Sequence, residues 1–361
     1  MKILIISNTC YSKTNKSIDI MNDYLAKYYD VDRLIFYKRN NNVKYTSNEF
    51  YFIDNIKLYR NIFKYFMPGE IIKFLFYIMY KSFKFNYKQY DYIIVESGYP
   101  IFLAIFLKNR IIYRQSDPTE MAFNTNRKYF KKIEKNIIRK SLFTISVLYK
   151  NDFYKEYLDK YIFWKTGYNI SINDIKIKMD YNIKKENIIT YMGNMPIDIN
   201  FLNKLAPNLK EYDIYIIGNY KKKKNSHFNL KYTGYLNYTQ YIDIIKKSKI
   251  FIIPVSNKYK KHSRFAGLTS KFYLPMQFGI PIVCKKYGYL NDDFEKKIYT
   301  YNKNKSGIII IKNILKKIEN NEINFSVNEN TLIFLLNQSK ESKYEELENI
   351  FNNIIFKSNV M

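Results

Sequence analysis

Leu268-Thr269-Ser270-Lys271-Phe272-Tyr273-Leu274-Pro275-Met276-Gln277-Phe278-Gly279-Ile280-Pro281-Ile282-Val283 is the stretch that decides the reading of this chain. Thr269 or Ser270 can cap a helix whose first turn carries Lys271. Helix-terminal amides and an ammonium then converge on one spot, which suits a diphosphate. The helix ends at Gly279, and a proline-initiated apolar strand, Pro281–Cys284, follows. A helix that feeds directly into a buried strand is the unit of an α/β sheet.

Working outward, the same unit repeats. Apolar strand runs fall at Asn187–Met192, Tyr212–Ile217, Leu230–Thr233, Lys249–Pro254, Pro281–Cys284 and Gly307–Ile311, with helical patterns at Ile199–Leu209, Thr239–Lys247 and Ser270–Phe278. A similar series comes earlier: Lys2–Ser7, Val31–Phe36, Tyr92–Glu96, Ile111–Arg114 and Leu142–Ser146. The pattern predicts an α/β protein of two doubly wound, Rossmann-like domains facing a central cleft, with ligands at the carboxyl ends of the strands. The expected divisions are a first domain at 1–165, a linker at 166–186, a second domain at 187–328, and a closing helical segment at 329–361 that crosses back to the first domain.

Composition narrows the class. The 361 residues include 60 Lys+Arg against 32 Asp+Glu, a net charge of +28, and 47% are hydrophobic. That is enough apolar material for two cores, so a disordered polybasic chain is excluded. The charge divides as +14 over residues 1–165 (29 against 15) and +14 over 166–361 (31 against 17), so it belongs to the whole surface. Cys10 and Cys284 lie far apart and form neither a disulfide framework nor a cysteine zinc motif. The first apolar run is too short for a signal-peptide core, and no uncharged run reaches the roughly 18 to 20 residues of a membrane span. The expected location is cytoplasmic, peripheral at the inner membrane face.

The turn after the first strand, Ser7-Asn8-Thr9-Cys10-Tyr11, lacks the glycines of a dinucleotide loop, and no P-loop motif occurs. The second half offers Met192-Gly193-Asn194 and Ile217-Gly218-Asn219, two glycine turns at strand ends that either bind a ligand or simply turn the chain. The order Gly193-Asn194, Gly218, Thr233-Gly234-Tyr235-Leu236, Phe251-Ile252-Ile253-Pro254, then Ser270-Lys271 through Gly279-Ile280-Pro281 resembles the donor domain of GT-B glycosyltransferases. The retaining branch of that fold places two glutamates before the glycine, where this chain has Ala266 and Leu274. A lysine at the helix start instead resembles the family 70 inverting enzymes, typified by the glucuronosyltransferase of xanthan-type polysaccharide assembly.

That resemblance implies an inverting, metal-independent transfer of a sugar, glucuronic acid in the typifying enzyme, from a nucleotide-sugar donor of the UDP class. The acceptor it implies is a glycan or lipid-linked oligosaccharide in cell-surface polysaccharide synthesis. Donor-binding positions carried over are Met192, Gly193, Asn194, Gly218, Tyr235, Leu236, Ser270 and Lys271, with Gln277 added by proximity. Tyr113-Arg114-Gln115-Ser116-Asp117 resembles the family's Arg-x-Ser-Asp segment, which implies Asp117 as the general base. Asp117-Pro118-Thr119-Glu120 is equally a helix start with an Asp cap, so base and cap both stand; Glu96, at another strand end, is the alternative base.

No cofactor or metal is expected. His227 and His262 are isolated, and Asp30-Val31-Asp32 is an acidic triplet beside a strand. Residues Ile56 to Tyr90 interleave aromatics with Lys64, Lys73, Lys81 and Lys84, which suits an anionic membrane surface carrying the acceptor or, as plainly, an amphipathic helix pair. Two other readings follow from the same residues: a non-catalytic basic protein that binds RNA or membrane, and a GT-B epimerase or phosphorylase. No nucleic-acid motif is present, so nucleic acid is not the expected partner.

Overall fold

Ile3-Leu4-Ile5-Ile6 is an unbroken apolar run, as a strand covered on both faces requires. In the computed structural model it forms the heart of β1 (Lys2–Thr9). The structure describes residues 1–9, 17–37, 49–51, 69–82, 85–108, 110–116, 127–147, 159–164, 167, 171–177, 183–194, 196–222, 226–257, 271–286 and 298–360. The chain divides into two units: Met1–Asn169 with Lys340–Met361, and Ile170–Ser339.

In the first unit β1 is joined by β2 (Asp30–Tyr37), β3 (Glu49–Tyr51), β4 (Tyr92–Glu96), β5 (Arg110–Gln115), β6 (Phe143–Ser146) and β7 (Tyr161–Phe163). All pairings are parallel, in the order β3-β2-β1-β4-β5-β6-β7. Helices α1 (Ser17–Tyr28), α2 (Gly69–Ser82), α3 (Pro100–Ala104) and α4 (Arg127–Lys140) accompany the sheet. Strand alternation sorts the core onto two faces. Leu4, Ile6, Ile93, Val95, Ile111 and Tyr113 pack with α3 and α4, whereas Ile3, Ile5, Ile94 and Ile112 pack with α1. The sequence did not signal β3 or β7; three-residue edge strands carry too little periodicity to stand out.

The second unit holds α5 (Ile172–Ile177), β8 (Ile188–Met192), α6 (Ile199–Leu205), β9 (Asp213–Ile217), β10 (Leu230–Gly234), α7 (Tyr238–Lys247), β11 (Ile250–Ile253), α8 (Tyr273–Gln277), β12 (Ile282–Lys285), β13 (Ile298–Tyr301), α9 (Asn304–Glu319) and α10 (Glu329–Leu336). Its strands are again parallel, ordered β10-β9-β8-β11-β12-β13. In each sheet the order reverses once, at β1/β4 and at β8/β11, and the crevice beyond the carboxyl ends there is where such sheets take ligands.

Three local expectations are corrected. Gly307–Ile311 is not a strand; it lies inside α9, whose buried positions Gly307, Ile311, Ile314, Leu315 and Ile318 follow helical spacing while Ile309 faces solvent. The sixth strand is β13. Secondly, α8 begins at Tyr273, so Lys271 sits in the turn before it. Pro275 dictates this: having no N–H, it fits the first turn, and the first full-turn bond is Met276 N to Phe272 O, 3.2 Å. Finally, the closing segment is two helices, not one. It breaks at Asn337–Ser339 between α10 and α11 (Lys340–Val360).

Helix α11 packs on α1. Lys340 Nζ pairs with Asp23 at 3.1 Å, Phe351 stacks on Tyr24 with ring centroids 6.2 Å apart, and Leu347, Phe351 and Ile354 are buried at helical spacing.

Candidate functional site

The second unit gathers its site at the carboxyl ends of β8, β9 and β10. Gly193 (φ 150°) and Gly218 (φ 138°) both occupy backbone conformations that favour glycine. Gly193 N donates to Ile217 O at 2.9 Å, and Gly218 N donates to Gly234 O at 2.9 Å. Asn219 N donates to Asn194 Oδ1 at 3.1 Å. These two glycine amides are thus committed to neighbouring strands, and what the glycines supply is space. A Cβ on Gly218 would run into the Gly193 carbonyl oxygen. A Cβ on Gly193 would lie 2.7 Å from both Cε and Nζ of Lys271.

Lys271, from the turn before α8, is therefore brought against the end of β8, and the ammonium lies beside the Gly193-Asn194 turn. Tyr191, fully buried on β8, shares a hydroxyl hydrogen bond of 3.0 Å with Tyr220, and the two rings meet edge to face at 5.8 Å. Burial pushes the Tyr220 phenol up to about 12, with the neighbouring Tyr235 adding to the rise and the Tyr191 bond opposing it. Tyr235 itself is 63% exposed, an aromatic face open at the end of β10, with half-buried Leu236 next to it. Met192 is half-buried at the end of β8, and Gln277 is fully buried on α8. Ser270 lies outside the described residues.

Beside this group, a hollow of about 370 Å³ is lined by Ile197, Asp198, Asn200, Ser256, Asn257 and Asn304, on the β11 to β13 side of the edge and not over Lys271. Asp198 caps α6 by accepting from Phe201 N at 3.0 Å. Its other oxygen takes Lys285 Nζ at 2.7 Å and Asn304 Nδ2 at 3.3 Å. Burial pushes this carboxyl up, but the Lys285 hydrogen bond, the Phe201 amide, the Lys285 charge and Asn304 outweigh it and hold the group below its usual range. Sequence reasoning passed over this trio; only the Asp cap, Asp198-Ile199-Asn200-Phe201, was visible as a pattern.

In the first unit, the corresponding edge is closed by Asn8 at the end of β1. Asn8 N and Nδ2 donate to Glu96 Oε2 at 3.0 and 3.3 Å, Nδ2 also reaches Ser97 O at 2.6 Å, and Tyr99 N donates to Asn8 Oδ1 at 3.2 Å. Glu96 thereby ties the two strands that flank the switch point. On β5, Gln115 is buried in a network: its Nε2 donates to Glu134 Oε1 at 3.0 Å, and its Oε1 accepts from Ser146 and Tyr161 at 2.9 and 3.1 Å. Ser116 Oγ lies 2.9 Å from Ser97 Oγ. This network fixes the strand end that leads into Asp117, which itself lies outside the described residues.

The acidic triplet is structural: Asp32 is buried on β2, accepting from Tyr90 OH at 2.6 Å and pairing with Lys2 at 3.2 Å. His227 meets Asn229 Oδ1 at 2.7 Å. His262 lies outside the described residues, and among the described residues no three His, Cys, Asp or Glu side chains cluster as a metal site. On α2, Lys73 is half-buried and Lys81 exposed; Lys64 and Lys84 lie outside the described residues. Among the described residues no helix is long and apolar enough to cross a membrane.

At the far, amino end of the second sheet lies a hollow of about 560 Å³, lined by Lys185, Lys249, Glu319, Asn321 and Phe325 among others. Burial pulls the Lys185 ammonium down to about 8, although its Nζ donates to Lys246 O at 2.6 Å and stands 4.6 Å from the Phe325 ring centre.

The sequence matches no family profile and no curated protein. Among solved structures the fold is similar to a sucrose-phosphate synthase from Thermosynechococcus elongatus, with TM-score 0.64 and 10% identity over 99% of each chain. It is also similar to HepE of Anabaena in complex with UDP-glucose, with TM-score 0.61 and 11% identity over 98% of this chain and 100% of that one. A glycosyltransferase from Rickettsia africae ESF-5 matches with TM-score 0.59 and 12% identity over 98% of each chain. At such identities the likeness establishes architecture, and the chain has the two-unit α/β architecture of the GT-B fold.

Proposed function

We propose that this protein is a glycosyltransferase that takes a sugar from a nucleotide donor of the UDP class, works by inversion without a metal ion, and is most like the family 70 enzymes. The observation that carries the reading is the seat of Lys271 against Gly193 at the carboxyl end of β8. An ammonium there, at a switch point of a parallel sheet, suits the diphosphate of a departing nucleotide. The match over nearly the whole chain to a structure holding UDP-glucose supports the same ligand class.

In this reading the second unit binds the donor. Lys271 offsets the charge that develops on the diphosphate, the exposed Tyr235 ring and Leu236 meet the base, and Gly193, Asn194 and Gly218 shape the turns. The first unit binds the acceptor, a glycan or lipid-linked oligosaccharide, with glucuronic acid a candidate for the sugar moved. Asp117 removes the acceptor hydroxyl proton as that oxygen bonds to the anomeric carbon, and the bond from that carbon to the phosphate oxygen breaks to release the nucleoside diphosphate. The anionic surface of a membrane, on its inner face, presents the acceptor to α2.

The test is a thermal-shift panel of UDP, GDP, CDP and their sugars on the wild type and on Lys271→Ala. UDP compounds are expected to stabilise the wild type, by about 2.7 kcal/mol at a hundredfold excess over Kd, and the variant far less. No shift with any nucleotide overturns the reading. Product analysis then separates transfer with inversion from retention, epimerisation or phosphorolysis, and turnover in chelator tests metal independence.

A further inference from the structure

Helix α2 has two sides of different character. Its inner side packs on the sheet's helical layer: Tyr80 stacks on Phe106 with centroids 5.6 Å apart and on Tyr87 at 5.6 Å. Its outer side carries Ile71, Phe74 and Ile78, spaced three and four residues apart and 46%, 60% and 47% exposed; Tyr77 stands between the two sides, its ring 5.4 Å from that of Phe106. Three large apolar side chains on one exposed helical stripe form a ridge, and a ridge of this kind marks a surface that meets an apolar partner.

Beside the ridge is a hollow of about 330 Å³ between α2, α3 and α4. Lys73, Lys132 and Lys140 line it with Asn136 and Tyr129, against the single carboxylate of Glu70. Lys140 is anchored there, donating to the carbonyls of Ala104 (3.2 Å), Ile105 (3.3 Å) and Leu107 at the end of α3. Lys132 is exposed on α4, a helix with seven basic residues and one acid, and that acid, Glu134, is buried and bound to Tyr113 and Gln115.

A cationic hollow and an apolar ridge share one helix. The partner with the matching pair of features is an amphiphile with an anionic head and an apolar tail. A bilayer presents both, phosphates for the lysines and acyl chains for the ridge.

We infer that α2 lies along an anionic bilayer, its ridge of Ile71, Phe74 and Ile78 inserted at the acyl boundary, and that Lys73 and Lys132 at the hollow, whose wall Lys140 completes, seat one lipid phosphate headgroup. This deepens the membrane part of the reading above. The remaining lysines of α4 supply general attraction; the hollow supplies a discrete headgroup site.

The experiment is vesicle co-sedimentation of the full chain with phosphatidylcholine alone and with phosphatidylcholine containing a third phosphatidylglycerol. The wild type is expected to partition strongly only onto the anionic vesicles. Phe74→Ser with Ile78→Ser should weaken that at least about tenfold, and Lys73→Ala with Lys132→Ala about fivefold for each lysine. A control pair on the second unit, Lys316→Ala with Lys317→Ala, should leave it unchanged. Thermal unfolding of each variant checks that it is folded, and Phe74→Leu, which keeps an apolar group, should restore binding.

Equal partition of ridge and control variants overturns the docking. Saturation of the hollow by glycerol 3-phosphate, with no vesicle association, also overturns it in favour of a soluble phosphate ligand. The UDP thermal shift is measured on the wild type in parallel: if it is present while the wild type fails to bind anionic vesicles, docking alone falls, and if it is absent while vesicle binding holds, the donor reading alone falls.

Discussion

Gly193 omits the one carbon that would collide with Lys271: a Cβ there would stand 2.7 Å from both Cε and Nζ of that side chain. The glycine amide already serves Ile217, so the absent side chain is the functional property. Gly193→Ala should therefore behave as a ligand-binding variant. The expected result is a loss of most of the UDP-induced thermal shift, matching Lys271→Ala, together with a destabilisation of about 1 kcal/mol or more from placing alanine at φ 150°. Isothermal titration with UDP checks it.

Gly218→Ala should be worse for stability. Its Cβ would meet a backbone carbonyl, that of Gly193, which cannot swing aside as a lysine tip can. Urea unfolding is expected to show a loss of at least about 2 kcal/mol, larger than that of Gly193→Ala.

Glu96 and Asp117 separate by substitution. Glu96 Oε2 already accepts two hydrogen bonds from Asn8, and a glutamine can keep the amide acceptor role. Glu96→Gln should retain turnover within about threefold, whereas Asp117→Asn should lose about a hundredfold or more, the scale of a removed general base. Steady-state rates on folded variants decide; collapse of Glu96→Gln alone transfers the base role to Glu96.

The Asp198 and Lys285 pair gives an acid-dependent prediction. Lys285 is nearly buried, its side chain 4% exposed, and Lys285→Met would strand the Asp198 carboxylate. A destabilisation of about 3 kcal/mol is expected at pH 7. Because the folded-state pKa of Asp198 lies below its ordinary 3.8, its stabilising contribution is complete above that value and is lost as pH falls through the folded pKa. The gap between wild type and variant should accordingly narrow in acid, as denaturation midpoints measured down to pH 3 would show.

Lys185 shifts stability in the same direction with pH but in an alkaline window, and it costs stability at neutral pH where Asp198 adds it. Its folded pKa of about 8 lies under the ordinary 10.5, so the unfolded chain binds the extra proton between these values and stability rises with pH across that window. Lys185→Met removes a desolvated ammonium. It should be more stable than the wild type by ~1 to 2 kcal/mol at pH 7, the loss of the Lys246 bond offsetting part of the gain, and the two should converge above about pH 10.5.

The sheets were legible because parallel strands covered on both faces must be continuous apolar runs, and Lys2–Thr9, Tyr92–Glu96 and Ile188–Met192 are such runs. Gly307–Ile311 misled for the same reason: five residues cannot distinguish a buried strand from one and a half turns of helix, and only the later Ile314, Leu315 and Ile318 reveal the period. At the site, the glycine turns and Lys271 could be named from order along the chain. Their meeting could not, since the 77 residues between Gly193 and Lys271 are bridged only by the fold. The clamp of Asn8 on Glu96, 88 residues apart, and the joining of Lys285 and Asn304 to Asp198 have no local signature.

Helix α11 has a consequence for how the protein is made. Residues 340–360 complete the core of the first unit around Tyr24, yet the ribosome makes them after the whole second unit. The first sheet to emerge is therefore the last to be finished, and until then Tyr24 and its neighbours lack their cover. The second unit is spliced into the first as an insert is spliced into a host. Cutting the chain after Asn169 would leave the sheet its α1 wall but strip from that wall the helix that buries Tyr24.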